Sequence, residues 1–248
     1  MTVHSDRIKP DDCSIRTYLD NLLRKEYQIP TFQREVVWDE DSVKKLWDSI
    51  FRFYPIGSIL VWKTDLKLQN HRSIGGHVIA DGNGSDIFQY ILDGQQRTTS
   101  LLTSLYGGTI EGKDDFNPIL YFDLTIEDED EIDDTSYKER FLFWDEIDDR
   151  DGSHTRNSRR MARYQEGLIV KLQDVLLNFE AVEERLAEGA YPKFGHPIRR
   201  RLRVIRDVLD KYRLSIIRLK GIEVSEVCQI FERINQEGQP LDIFDIVV

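Results

Sequence analysis

The sequence predicts an α+β fold, and three observations carry that expectation. Short runs of strand composition, SILVWK at 58–63, PILYFDL at 118–124, RFLFW at 140–144 and LSIIRL at 214–219, are interspersed with stretches whose apolar residues recur at helical spacing. The stretch 88–108, FQYILDGQQRTTSLLTSLYGG, reads as a strand, a tight turn and a helix in immediate succession. A chain of 248 residues, 40% hydrophobic and 32% charged, is also long and apolar enough to bury a substantial core.

Taken in order, a polar lead gives way to Ser14, placed to cap a helix with the apolar stripe Ile15, Tyr18, Leu19, Leu22 and Leu23, ending near Lys25. Tyr27 to Pro30 is extended, because a residue before proline is pushed out of the α region. Asp39 caps a second helix, whose stripe is Val43, Leu46, Trp47, Ile50, Phe51 and Tyr54 and which stops at Pro55 and Gly57. The polar, glycine-rich 64–86 joins the strand at 58–63 to the central unit, as a long hairpin would. Within it Asp81 to Asp86 faintly resembles a calcium loop, but Leu92 stands where the twelfth-position glutamate belongs, so a glycine-rich turn is the better reading.

Beyond the central helix, the acidic run Glu127 to Asp134 reads as a solvated loop without a metal, and Gly152 to Arg163 as polar and irregular. A helix from Asp174 through Ala187 precedes an arginine-rich one with the buried stripe Leu202, Ile205, Leu209 and Tyr212. Arg199, Arg203 and Arg206 share another face of it. They either line a phosphate groove in contact with DNA or form a solvated face paired with Asp207 and Asp210. The last predicted helix carries Val224, Val227, Ile230, Phe231 and Ile234 and ends at Gly238. The apolar ending Ile246-Val247-Val248 is what a fragment of a longer protein, or a tail that docks elsewhere, would show.

Composition narrows the function classes. A net charge of −11 argues against a surface that grips nucleic acid over its whole extent, although local basic patches survive because salt screens each within roughly 8 Å. No segment approaches the ~20 apolar residues of a membrane span and the N-terminus lacks the apolar run of a signal peptide, so a cytoplasmic protein with no membrane partner is expected. Cys13 and Cys228 cannot make a disulfide framework, and the five histidines form no metal-binding pattern, which speaks against histidine-type nuclease chemistry within this chain. No Walker P-loop is present.

The turn after Leu92 concentrates the chemistry. Backbone N–H groups at a helix start have no intrahelical partner and face the positive end of the helix dipole, which favours an anion. Gln95, Gln96, Arg97, Thr98 and Thr99 add side-chain donors with no apolar residue among them, which suits phosphate. In the alternative reading, Asp93 merely caps the helix and Arg97 pairs with it at i,i+4.

Three stretches then resemble one family: Ile29-Pro30-Thr31-Phe32-Gln33-Arg34 with Val37-Trp38; Asp93-Gly94-Gln95-Gln96-Arg97 within 91–101; and Phe231-Glu232-Arg233-Ile234-Asn235 with Gly238 and Leu241. With the turn Pro55-Ile56-Gly57, they are similar to the N-terminal domain of GmrSD-type, modification-dependent restriction proteins, marked by the DGQQR box. That resemblance implies a ParB/sulfiredoxin-like, mixed-sheet core with flanking helices and a C-terminal helical part. In this fold group a Gly-x-x-Arg turn, here Gly94 and Arg97, holds nucleotide phosphates. Residues 1–125 would be the nucleotide-binding core, and 126–248 a strand-helix extension that completes the pocket. The cysteine of sulfiredoxin chemistry is replaced by Gln95-Gln96, which excludes that activity.

The resemblance further implies binding and magnesium-assisted hydrolysis of a nucleoside triphosphate, coupled to recognition of modified phage DNA. An HNH nuclease domain or subunit is the expected partner, and this chain ends before such a domain could begin. In that reading Gln33, Arg34, Gly94, Arg97, Thr98, Thr99, Arg233 and Asn235 hold the nucleotide. Gln95 or Gln96 orients water, and Asp93 holds Mg²⁺ or acts as base beside Arg97. Two alternatives stand beside it: a nucleotide-independent DNA-reading module using Arg34, Arg97 and the Arg199, Arg203 and Arg206 face, and a ParB-like nuclease.

Overall fold

The structure is a computed structural model that describes residues 4–31, 39–70, 73–79, 84, 86–110, 112–113, 115–127, 135–148 and 155–234. Among these the α+β expectation holds. Two compact units are built from interleaved segments: Met1–Val36, Gly57–Thr99 and Arg213–Val248 form the first, Val37–Ile56 and Ser100–Tyr212 the second. A single cut at 125/126 therefore follows the order of the chain and not these units.

In the first unit β1 (Ile8–Ser14), β2 (Ser58–Thr64), β5 (Phe88–Asp93) and β9 (Arg213–Lys220) make a mixed sheet in the order β1-β9-β2-β5. The central pair, β2 and β9, is parallel, and the outer strands run antiparallel to their neighbours. A small hairpin of β3 (Ser73–Ile74) and β4 (His77–Val78) interrupts the β2–β5 connection, turning through Gly75 and Gly76. Successive β2 residues point to opposite faces, and Ile59, Leu60, Val61 and Trp62 are all buried, so the sheet is covered on both sides. On one side Leu60, Trp62, Tyr90, Leu92 and Leu219 pack with Val227 and Cys228 of α9 (Val224–Ile234).

β1 is a strand where the sequence suggested only a polar lead. It is an edge strand, exposed along most of its length, so no apolar alternation announces it. Cross-strand ion pairs substitute for apolar contacts: Arg213 Nε bonds Asp12 at 2.5 Å and Arg218 Nε bonds Asp11 at 2.8 Å. Pro10 is tolerated at such an edge. β1 runs into α1 (Ile15–Leu23), where Ser14 accepts the Thr17 N–H as the expected cap and Ile15, Tyr18, Leu19 and Leu22 are buried; Leu23 is exposed.

The second unit gathers α2 (Glu40–Phe51), capped by Asp39 as expected, around a three-stranded sheet of β6 (Tyr121–Asp123), β7 (Phe141–Leu142) and β8 (Ile169–Lys171). α4 (Tyr137–Arg140) is a single turn before β7. α5 (Thr155–Gln165) corrects the irregular reading of 152–163. Its few apolar residues, such as Met161 and Tyr164, pack on Tyr121, Leu142, Ile147 and Ile169, while Arg160 bonds Glu139 at 2.8 Å and Arg163 bonds Asp123 at 3.1 Å. The helix expected from 174 to 187 is two, α6 (Leu172–Leu177) and α7 (Phe179–Glu188), broken where Asn178 leaves the helical region at φ −129°. α8 (Pro197–Lys211) follows, with Leu202, Ile205 and Leu209 buried as expected.

Candidate phosphate site at the DGQQR turn

β5 ends at Asp93, Gly94 bends the chain at φ +95°, and α3 (Gln95–Tyr106) begins at once. Gly94 is demanded twice: the left-handed backbone disfavours a side chain, and a Cβ there would stand 3.1 Å from Ile59 Cγ1. Thr98 N–H bonds Gly94 O at 2.9 Å, so the N–H groups of Gln95, Gln96 and Arg97 precede the intrahelical ladder at the positive end of the helix. Because β1 and β5 run in the same direction, α1 and α3 both start from the same end of the sheet.

Arg97 is held close to the sheet. Its Nη2 bonds Asp93 Oδ2 at 3.0 Å and its Nη1 bonds the Ser58 carbonyl at 3.0 Å, so the i,i+4 pair of the simpler reading is present. The guanidinium lies over Gly57, where a Cβ would come within 2.7 Å of Nη1. That contact gives the Pro55-Ile56-Gly57 turn a purpose the sequence did not reveal, since Gly57 at φ +82° leaves the space Arg97 fills. The Arg97 side chain is 15% exposed and that of Asp93 34%, so the pair is open to solvent from the carboxylate side.

The two threonines differ. Thr99 Oγ1 donates to Gln95 O at 3.0 Å and stays partly exposed. Thr98 is fully buried, which corrects its assignment to phosphate. Its hydroxyl donates to Gly94 O at 2.8 Å and lies 2.7 Å from the Tyr18 hydroxyl. Thr98 has one proton and spends it on Gly94, so Tyr18 is the donor to Thr98. Burial pushes the Tyr18 phenol far up, which keeps that proton in place, with the Thr98 bond opposing the shift only in part.

Gln33, Arg34 and Asn235 lie outside the described residues, as do most of the acidic run and most of the glycine-rich 81–86 loop. Arg233 is exposed in the last described turn of α9, a helix that packs against β5.

Arg199, Arg203 and Arg206 do not form an outward phosphate face. Arg199 donates to Pro192 O at 3.0 Å and pairs with Glu183. Arg203 bonds Glu183 at 2.8 Å and Phe194 O at 2.7 Å. Arg206 donates to Val175 O at 2.8 Å, satisfying the end of α6, and its Nε pairs with Asp210 at 2.6 Å. Asp207, the other expected partner, pairs instead with Lys211. Helical periodicity placed the three on one face but gave no sign that α6 and α7 supply acceptors there.

No cluster of three or more metal-ligating side chains occurs among the described residues. Asp93, one-third exposed beside the helix start, supplies one carboxylate, which suits Mg²⁺ because that ion is often held by one or two carboxylates plus substrate phosphates and water.

Comparison with known families settles the kinship. Residues 15–248 match the GmrSD restriction endonuclease N-terminal domain. The chain belongs to that family. The DGQQR turn is thus the β5–α3 junction of a GmrSD-type N-terminal domain, in a restriction-system context. No curated protein sequence matches the chain. Among the described residues no helix is long and apolar enough to cross a membrane.

Proposed function

We propose that this GmrSD-type domain binds and hydrolyses a nucleoside triphosphate at the β5–α3 junction, within a modification-dependent system directed against phage DNA. The observation that carries the reading is the Arg97–Asp93 pair at the start of α3, a cation and a carboxylate held beside the N–H groups of a helix N-terminus. Phosphoryl transfer needs positioning and charge neutralisation more than covalent chemistry from the protein.

Arg97 is aimed by Ser58 O and Gly57, so a phosphate reaching the junction competes with Asp93 for a guanidinium already in place. Exchange releases the Asp93 carboxylate, which would hold Mg²⁺; the bound ion supplies neutralisation of phosphate charge. Gln95 and Gln96, half-buried in the first turn, are the side chains that orient water. DNA and an HNH nuclease domain or subunit complete the proposed system.

The test is phosphate release from ATP, GTP, CTP and UTP with Mg²⁺, with and without phage DNA, for the chain, Arg97→Ala and Asp93→Asn. Release that falls at least about a hundredfold in Arg97→Ala, in line with the loss of one preorganised charge donor, supports the reading. Asp93→Asn leaves Arg97 without its carboxylate and is expected to bind nucleotide more tightly in the absence of Mg²⁺ while losing turnover. If no nucleotide is hydrolysed and none raises the melting temperature of the chain, the reading fails.

A further inference from the structure

Residues 189–206 contain six cations, Lys193, Arg199, Arg200, Arg201, Arg203 and Arg206, and no carboxylate, in a chain whose net charge is −11. Phe194, which follows the first of them, is 67% exposed, one of the most exposed large apolar side chains among the described residues. It sits at the tip of a turn closed by the bond from His196 N–H to Lys193 O at 2.9 Å. An aromatic ring so exposed ordinarily has few neighbours; this one has two guanidinium groups against it.

The Arg203 guanidinium lies over the ring at 3.8 Å from its centroid, and the same side chain donates to the Phe194 carbonyl. Arg199 stands 5.5 Å from the ring. Glu183 holds both arginines, at 3.3 Å and 2.8 Å, so one carboxylate fixes two cations and a net positive charge remains behind the ring. The Tyr191 ring packs tilted against His196, centroids 4.8 Å apart, and His196 Nδ1 accepts the Ile198 N–H, which anchors the base of the turn to α8. Lys193, next to Phe194, and Arg200, one helical turn before Arg203, make no ion pair among the described residues.

An exposed aromatic face backed by a stacked cation, with Lys193 adjacent to it in the chain and Arg200 one helical turn from that cation, is the arrangement that receives an unstacked nucleobase and its flanking phosphates. We infer that Phe194, backed by Arg203, is a stacking platform for an unpaired base of a nucleic-acid strand, whose phosphates meet Lys193 and Arg200. Arg199 and Arg203 thus serve nucleic acid by positioning Phe194. The platform lies wholly within the second unit and its existence does not depend on nucleotide hydrolysis at the DGQQR turn.

The probe is a fluorescent oligothymidylate of about 15 nucleotides, titrated with the chain at low salt and without nucleotide, with a blunt duplex of the same length as comparison. Phe194→Ala is expected to weaken single-strand binding by about tenfold, in the range for loss of one stacked base, and to leave duplex binding unchanged. Phe194→Trp should restore or strengthen binding, whereas Phe194→Leu should not. Lys193→Ala and Arg200→Ala should each reduce the slope of log affinity against log salt by about 0.7.

Phe194 is exposed, so an unchanged melting curve is expected of its variants and separates a binding defect from a folding one. Wild-type affinity in Phe194→Ala overturns the proposal, as does an oligonucleotide that fails to bind the wild-type chain at all. Equal rescue by leucine, or a change in self-association with unchanged oligonucleotide binding, would make the ring an apolar contact for protein and overturn it too. Phosphate release at the DGQQR turn can fail in every variant without touching this result.

Discussion

Replacing Thr98 by valine separates the two roles open to a hydroxyl inside the DGQQRTT stretch. Valine keeps the shape and, within a few tenths of a kcal/mol, the helix propensity, but removes the oxygen. Gly94 O keeps the Thr98 N–H at 2.9 Å, so the carbonyl stays satisfied. The Tyr18 hydroxyl, fully buried at 2.7 Å from the lost oxygen, is left as a donor without its acceptor. A buried polar group left unmade costs about 1–3 kcal/mol, and for a domain of this size each kcal/mol lowers the melting temperature by roughly 2–4 °C, so about 4–8 °C is expected at the middle of that range.

Tyr18→Phe removes the donor instead, leaves Thr98 bonded to Gly94 O, and should cost about 1 kcal/mol. The double variant should be little worse than Tyr18→Phe, because an apolar pair replaces a hydrogen-bonded one. Urea melts followed by tryptophan emission give the three values, Trp62 being fully buried in the same unit. Costs that simply add would show that the two hydroxyls share no bond. A Thr98→Val chain of wild-type stability that no longer binds nucleotide would put the hydroxyl in contact with phosphate, and the buried assignment would be refuted.

Gly57→Ala places a Cβ 2.7 Å from Arg97 Nη1 on a φ of +82°, so backbone strain of about 1–2 kcal/mol adds to the weakened bond to Ser58 O. Melting should fall and any Arg97-dependent phosphate release should fall with it, whereas an unshifted melting curve would deny the contact. The Asp41 carboxylate is pulled from its ordinary 3.8 down to about 2, first by the bond from Lys45 and then by the Tyr137 hydroxyl. Its folded-state value is depressed, so its stabilisation is present above pH about 4 and is lost as the pH falls through about 2. The melting gap between the wild type and Asp41→Asn should be full at neutral pH and close over that window; a gap independent of pH contradicts this. Arg206→Ala removes a charged donor from the last carbonyls of α6, which should cost about 2 kcal/mol in urea melts while oligonucleotide affinity stays at the wild-type level.

Elements that bury an apolar stripe behind a capping residue were legible in the sequence: α1 after Ser14, α2 after Asp39, and the β5–Gly94–α3 unit. The elements that escaped are held by charge. β1 has Asp11 and Asp12, paired with Arg218 and Arg213 of β9, where an alternating strand has apolar side chains, and α5 has Arg160 and Arg163 where an amphipathic helix has leucines. Neither substitute leaves a periodic signature, because its partners lie far along the chain. The α6–α7 break has no proline or glycine to mark it, and β8, Ile169-Val170-Lys171, is too short to distinguish from a helix segment. At the site the sequence showed which residues gather, since they are consecutive, but not that Ser58 would offer a carbonyl or Tyr18 a hydroxyl.

That gathering also overstates the number of groups a ligand can meet. Five consecutive polar residues on a helix, at about 100° apiece, spread around the whole axis, so at least one must face inward. In α3 that residue is Thr98, whose hydroxyl joins the helix to α1. Gly94 contributes backbone shape, and Thr99 gives its proton to Gln95 O. The side chains at the turn able to accept a ligand without opening the core are then Asp93, Gln95, Gln96 and Arg97. Arg97 already has a carboxylate partner, but a pair with one member a third exposed is worth little net stability in water, about 0–1 kcal/mol. On the proposed reading, a phosphate that also gained the N–H groups of the first turn would offer Arg97 more than Asp93 does. The resting ion pair would then keep the guanidinium aimed between encounters without closing the site to an anion.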